Sequence, residues 1–346
     1  MVVTNLPASK VYTYEQIQED KAKFDEVFAY LKMYGAHSMA YSILQPKMNY
    51  FILEGYGIVA YSKLGKNGKM NYVLGDPLAS REFTEYLLDE YLKMFPESQF
   101  VQVSERIAKL IYKIAGFYAT PMGIETTVNS QRFDINGSVK KKFRNNIRNS
   151  KGEVQVYEEN ELDINEEAIE AVSQDWLNGI KKGKKEISFL ARPLNLNYEK
   201  DVRTFYALTN ENELMSFLIF NPVYKNNKII GYCADMIRTS AKAIRGTGDF
   251  LLYMAIKKMR REGHVIIEMG LSPFADVDRG KLPITDNATK TIIKLIYSKL
   301  NFLYGFQGLA EHKKQFEGHE TIAYFCHAKK LPLIDILKLF RICNVV

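Results

Sequence analysis

The first third of the chain sets short apolar runs against glycine and polar breaks. Residues 50–53, 57–62 and 70–74 are rich in aromatic and β-branched side chains, with a glycine turn at 65–68 before the third run. Runs of this length between turn residues predict antiparallel strands. Residues 14–34 instead repeat their apolar side chains near helical spacing and predict one amphipathic helix. Gly75-Asp76-Pro77 closes the third strand, with Asp76 placed to cap a helix and Pro77 suited to its first turn. A helix at 81–95, a strand at 99–103 and a helix at 105–115 complete one α/β unit.

The same order returns after residue 151: a helix at 165–179, strands at 204–209, 213–223 and 229–238, a helix at 249–262, a strand at 265–271 and a helix at 287–300. No residue-level repeat accompanies it. Repeated element order without repeated sequence predicts an α/β protein of two fused units, each a mixed sheet flanked by helices. The expected division is an N-terminal unit at 1–137, a basic connecting helix at 138–151 and a C-terminal catalytic unit at 152–346.

Composition narrows the class. With 346 residues and 47% hydrophobic content the chain buries a large core. A membrane-spanning helix needs about 20 nearly uninterrupted apolar residues, and no window qualifies, because even the apolar stretch 331–346 carries Lys338 and Arg341. That stretch suits either an interfacial helix in peripheral contact with a membrane or a helix packed on the protein. The charged segment 15–23 departs from a signal peptide, so a cytoplasmic location is expected. Cys233, Cys326 and Cys343 are widely spaced, fit no zinc pattern and read as buried reduced thiols; no metal site is expected. The net charge of +7 favours an anionic partner: RNA, an acidic membrane or a phosphorylated substrate.

Six of the 47 lysines and arginines fall at 138–151, where Lys140, Lys141, Lys142, Arg144, Arg148 and Lys151 occur with no acidic residue. Ser138 is placed to cap a helix on which 140, 144, 148 and 151 share a face. Such a face either binds phosphates, with steep salt dependence, or is a solvated connector.

Acyl transfer requires a positioned carbonyl, a deprotonated nucleophile and stabilised charge on the tetrahedral intermediate. Arg245-Gly246-Thr247-Gly248-Asp249 enters a helix directly after a β region, so its glycines allow close backbone approach to a ligand and Arg245 adds charge. Read as a pyrophosphate loop, it implies an acyl-CoA or acyl-carrier donor, although Ala243 stands where that signature has Gln or Arg. Capping alone accounts for an aspartate at 249. Glu268 ends an otherwise apolar strand, where it is either a general base or an edge-strand carboxylate in solvent. His312 is either an acid/base or structural.

Asp249, Glu268-Met269-Gly270-Leu271-Ser272-Pro273 and Tyr304-Gly305-Phe306-Gln307-Gly308-Leu309 follow one another at intervals that resemble the C-terminal domain of the lysylphosphatidylglycerol synthase (multiple peptide resistance factor) family. Asp175-Trp176-Leu177 followed by Lys184, Glu186, Phe189 and Arg192, then Asn221-Pro222-Val223-Tyr224, Asp235-x-x-Arg238 and Gly75-Asp76-Pro77 extend the resemblance over residues 50–330. It implies two tandem acetyltransferase-like (GNAT) folds and transfer of an aminoacyl group from aminoacyl-tRNA, a co-substrate in place of a bound cofactor, to a phospholipid headgroup or a small nucleophile. A non-catalytic RNA- or membrane-binding module is the further alternative.

The resemblance also assigns residues. It implies catalytic roles for Asp249 and Lys313, with Asp249 orienting the donor amino group or accepting a proton; Glu268, where the family often has an uncharged residue, is a catalytic candidate from its place on the strand alone. Substrate contacts by resemblance fall to Asp175, Arg192, Arg238, Ser272 and Gln307, with Trp176 in the core, and RNA contacts to Lys140, Arg144 and Arg148; Arg245, Gly246, Gly248 and His312 are substrate-contact candidates from the residues themselves. Gly305, Ala310 and Glu311 stand where the family carries arginines, and His312 where it carries an aromatic.

Overall fold

A computed structural model describes residues 8–64, 70–162, 164–180, 186–299 and 306–344. The expected turn at 65–68, together with Lys184, Leu300, Tyr304 and Gly305, lies outside them.

The first half runs β1 (Ser9–Thr13), α1 (Tyr14–Glu19), α2 (Lys21–Tyr34), β2 (Met48–Leu53), β3 (Gly57–Leu64), β4 (Met70–Leu74), β5 (Leu78–Ala79), α3 (Thr84–Met94), β6 (Gln99–Val103), α4 (Glu105–Ala115) and β7 (Tyr118–Asn129). After α5 (Lys141–Ser150) the order recurs as β8 (Val154–Glu158), α6 (Glu166–Ile180), β9 (Arg203–Thr209), β10 (Leu214–Lys225), β11 (Lys228–Thr239), α7 (Thr247–Arg261), β12 (Ile266–Pro273) and α8 (Asn287–Lys299). The chain then forms α9 (Phe306–Lys314), β13 (His319–His327) and α10 (Leu333–Ile342). This is an α/β protein of two tandem acetyltransferase-like folds.

Local chemistry revises several expected boundaries. The helix expected at 14–34 breaks at Asp20, whose carboxylate accepts from the Ala22 and Lys23 amides and caps α2. Asp76 does not cap a helix; it accepts from the amide and hydroxyl of Ser104, tying the end of β4 to the start of α4. Ser104 itself caps α4, and Gly116 closes it at φ 70°. The strands β7, β8 and β13 had no counterpart in the sequence reading. Their residues mix polar and apolar positions, and β7 and β13 take their place only through pairing with distant segments.

A continuous sheet joins the halves in the order β1-β2-β3-β4-β6-β13-β7-β12-β11-β10-β9-β8, with β5 paired to β3. β13, more than 200 residues after β6 in the chain, lies between β6 and β7, and β7 also pairs with β12. Alternate residues of one strand serve opposite faces: Tyr50 and Ile52 of β2 join one core cluster, Phe51 and Leu53 another. Along β10, Leu218 and Phe220 likewise enter one cluster and Phe217 and Ile219 another. Both faces are therefore covered by helices, which explains the uninterrupted apolar runs in β2 and β10. Among the described residues no helix is long and apolar enough to cross a membrane, and Cys233, Cys326 and Cys343 are free and buried.

Candidate active site

The parallel pairing of β11 with β12 ends at Cys233 opposite Glu268, and the two strands part beyond that point. On its other edge β12 loses register with β7 between Glu268 and Leu271, where Gly270 adopts φ 68°. A bulge beside diverging strands turns side chains into the gap. β12 lies between β7 and β11, so Glu268 is on an interior strand, and edge-strand solvation does not explain its carboxylate. The hydroxyl of Thr127 donates to Glu268 Oε2 at 2.8 Å. Burial, with a smaller push from Glu125, raises the Glu268 carboxyl to about 7 against the pull of that hydrogen bond.

Lys313, near the end of α9, reaches the same bulge. It is 8% exposed, and its Nζ donates to the Leu271 carbonyl at 2.7 Å. Burial lowers this ammonium to about 8, opposed by Cys233 and Glu125. A carboxyl near 7 and an amine near 8 thus share Glu125 and Cys233 as neighbours, each suited to proton transfer at neutral pH. Glu125 was not singled out in the sequence, because its strand was unassigned. It sits opposite Leu271 in β12 and Thr321 in β13, and its Oε1 accepts from Ser38 and Gln102 of the first fold. A carboxylate directly after the short apolar stretch Met122-Gly123-Ile124 was the available signal.

Asp249 belongs to a neighbouring group. At the N-terminus of α7 its Oδ2 accepts from Asn146 of α5 at 2.6 Å, and its Oδ1 lies 3.6 Å from His312 Nδ1. Burial lowers the imidazole pKa of His312 while Asp249 opposes the shift. His312 also packs edge-on against Phe316. Consecutive residues of α9 therefore touch both groups, His312 toward Asp249 and Lys313 toward β12.

At Gly246 and Gly248, where close ligand approach is expected, the nearest neighbours are protein atoms. A Cβ on Gly246, at φ 104°, would lie 2.4 Å from the Asn146 carbonyl oxygen, and one on Gly248 2.9 Å from Thr239 Oγ1. The glycines let α7 close on α5 and β11, while Arg245 is exposed.

A third group lies along β10 and β11. Arg192 pairs with Glu199, donates to Asn221 Oδ1 at 2.9 Å and covers the Tyr41 ring. Arg238 pairs with Glu186, donates to Ser173 and lies over the half-buried Trp176. Both guanidiniums are buried, and the Nε of each has no hydrogen-bond partner among the described residues. Asp235 is coupled to both, and burial pushes its carboxyl up. Two unpaired guanidinium donors near a raised carboxyl make a buried polar cluster with unmet hydrogen-bonding capacity. Asp175 is occupied locally, accepting from the Ser240 hydroxyl and the Ala241 amide. Ser272 is buried and lines a small depression with Thr126, Ala310 and Lys313. The Gln307 amide donates to the Tyr297 carbonyl.

The basic segment folds differently from expectation. α5 begins at Lys141 without a side-chain cap, so Ser138 is not its cap. Lys140 is buried and paired with Glu317 at 2.9 Å and Asp134 at 3.5 Å, acidic residues from outside the segment. It therefore leaves the expected phosphate-binding face. Arg144 spends two donors on the Ile135 and Gly137 carbonyls. Lys141, Lys142 and Arg148 are exposed. No cluster of potential metal ligands occurs among the described residues.

Residues 28–327 match the family model for phosphatidylglycerol lysyltransferase, C-terminal. The phosphatidylglycerol lysyltransferase of Bacillus subtilis (strain 168) is 23% identical over 321 residues, covering 91% of this chain and 36% of that protein. The Staphylococcus xylosus phosphatidylglycerol lysyltransferase is 23% identical over 278 residues, 78% of this chain and 32% of that protein. The chain thus spans about a third of the length of these curated relatives. The structure of L-PGS from Bacillus licheniformis superposes with a TM-score of 0.74 at 20% identity, covering 92% of this chain and 96% of that one. The match over most of its length, on a fold shared with L-PGS, places this chain in the phosphatidylglycerol lysyltransferase C-terminal family.

Proposed function

We propose that this chain transfers an aminoacyl group from an aminoacyl-tRNA ester to the headgroup hydroxyl of a phospholipid. The observation that carries this reading is the Lys313 ammonium, buried on the Leu271 carbonyl of the same strand that carries the raised carboxyl of Glu268, where β11 and β12 part. In the reaction the acceptor hydroxyl gives its proton to Glu268 and its oxygen bonds to the acyl carbon. Lys313 stabilises the oxyanion and, as the bond to the ribose oxygen breaks, protonates that oxygen. The Arg192, Arg238 and Asp235 cluster holds the polar parts of the substrate, and Asp249 with His312 orients the donor amino group. Lys141, Lys142 and Arg148 approach the RNA phosphates, with Arg144 shaping the turn beneath them.

The alternative thioester donor needs an open phosphate loop at 245–248. The α5 backbone against Gly246 closes one side of that loop, which favours the RNA ester. A phospholipid acceptor accords with the names of the relatives and with peripheral contact at a membrane. The test is transfer of radiolabelled lysine from lysyl-tRNA to phosphatidylglycerol in detergent, with coenzyme A as competitor. Label in the lipid that is insensitive to coenzyme A supports the reading. Stable lysyl-tRNA with active thioester turnover overturns it.

A further inference from the structure

The helix α10 is half covered. Asp335, Ile336, Leu339 and Cys343 face inward, with the Asp335 carbonyl accepting from Tyr72. The opposite side leaves Ile334 68% exposed and Leu337 57%, and Leu331 and Leu333 are also exposed. Four large apolar side chains within seven residues form the densest exposed apolar group among the described residues. Around them Lys329, Lys330 and Arg341 are exposed, while the only acidic residue from 328 to 344 is the buried Asp335. A helix with an apolar outer face, basic flanks and no exposed acid is chemically matched to an anionic bilayer surface.

We infer that the outer face of α10 docks on an anionic phospholipid surface and presents the candidate active site to it. The inference deepens the proposed function and rests on it only for the use of the docked lipid as acceptor. Phe340 of α10 meets Phe274, two residues beyond Ser272, with ring centroids 6.3 Å apart. Just past α10, Asn344 donates to the Glu186 carbonyl at 2.9 Å, and the Glu186 carboxylate pairs with Arg238. Ser188 donates to the Ile342 carbonyl. The docking helix is thus tied to the loop after β12 and to the buried arginine cluster, so a headgroup beside α10 is next to both.

The experiment compares wild type with the double variant Ile334→Asp/Leu337→Asp in flotation with phosphatidylglycerol-rich and pure phosphatidylcholine vesicles. Wild type is expected on the anionic vesicles, with partition reduced about tenfold or more in the variant. Lys330→Gln and Arg341→Gln should each reduce it about fivefold at low salt. The replaced side chains are exposed, so thermal melting should be unchanged, and lysyl transfer to detergent-dispersed phosphatidylglycerol should persist while transfer to vesicles falls. Equal flotation of wild type and the double variant overturns the inference. So does a wild-type dimer that ignores vesicles and that the variant dissolves, because a second copy then covers the face. Wild-type flotation without transfer in detergent keeps the docking face and sinks the proposed function instead.

Discussion

The two folds contain the same gap and furnish it in opposite ways. In the first, β4 and β6 pair through Leu74 and Val101, and the gap beyond is stitched: the Gly75 amide donates to the Val101 carbonyl, and Asp76 holds Ser104. His37 packs against Gly75, and the Gln102 side chain turns to Glu125. In the second, pairing stops at Cys233 and Glu268, and the space beyond is bounded by the Glu268 carboxyl, the Lys313 amine and the Asp235 cluster. A scaffold can thus keep one splayed strand pair for stability and load the other with groups whose burial shifts their protonation. The crossed strands let the first fold contribute to the second, since β7 carries Glu125 and Thr127 to the edge of β12.

The largest expected effect that sharpens this contrast is at Lys313. Lys313→Met should slow transfer about 10³-fold with melting little changed, whereas Asp76→Asn should leave the single-turnover rate within about threefold. Next, Glu268→Gln should lower the rate about 10²-fold and remove the acid limb of a pH profile that rises near 7 and falls near 8, as single-turnover measurements across pH will show. The same residue shapes stability. Its folded carboxyl holds a proton more tightly than its ordinary 4.5, so its stabilisation is full below 4.5 and is lost as pH rises through about 7. Denaturant melts should lose that downward slope in Glu268→Gln.

Packing predictions follow in size. Gly246→Ala meets the Asn146 backbone at a positive φ and should destabilise by about 2 kcal/mol or more in urea melts. Asp76→Ala removes two acceptor contacts from Ser104 and should cost about 1–3 kcal/mol. The smallest effect is on RNA: Lys141→Gln/Lys142→Gln/Arg148→Gln should weaken tRNA binding and reduce the salt slope by about 2–3, read by filter binding across salt. An unchanged slope would remove α5 from the RNA surface.

Much of this was legible in the chain. The apolar runs marked β2, β3, β4, β6 and the core of β10, because both faces of those strands are buried. The order of weak motifs carried the family, and the paired folds came with it. What stayed hidden depends on contacts distant in sequence. Lys140 reads as part of a cationic face until Glu317, far along the chain, pairs with it. Gly246 reads as a ligand loop until α5 closes on it. Glu125 has little local signal, because it sits in a stretch of mixed polar and apolar residues whose strand, β7, is defined by β12 and β13. The mixed burial of α10 likewise appears only once Tyr72 and Phe274 take one of its faces.

The central claim is that the second gap performs aminoacyl transfer and the first does not. It is tested most directly by single-turnover transfer from lysyl-tRNA to phosphatidylglycerol in detergent, run in parallel for wild type, Lys313→Met and Asp76→Asn. The account predicts transfer by wild type and Asp76→Asn and its near-complete loss in Lys313→Met. Transfer by Lys313→Met at the wild-type rate, or its loss in a stably folded Asp76→Asn alone, would contradict it.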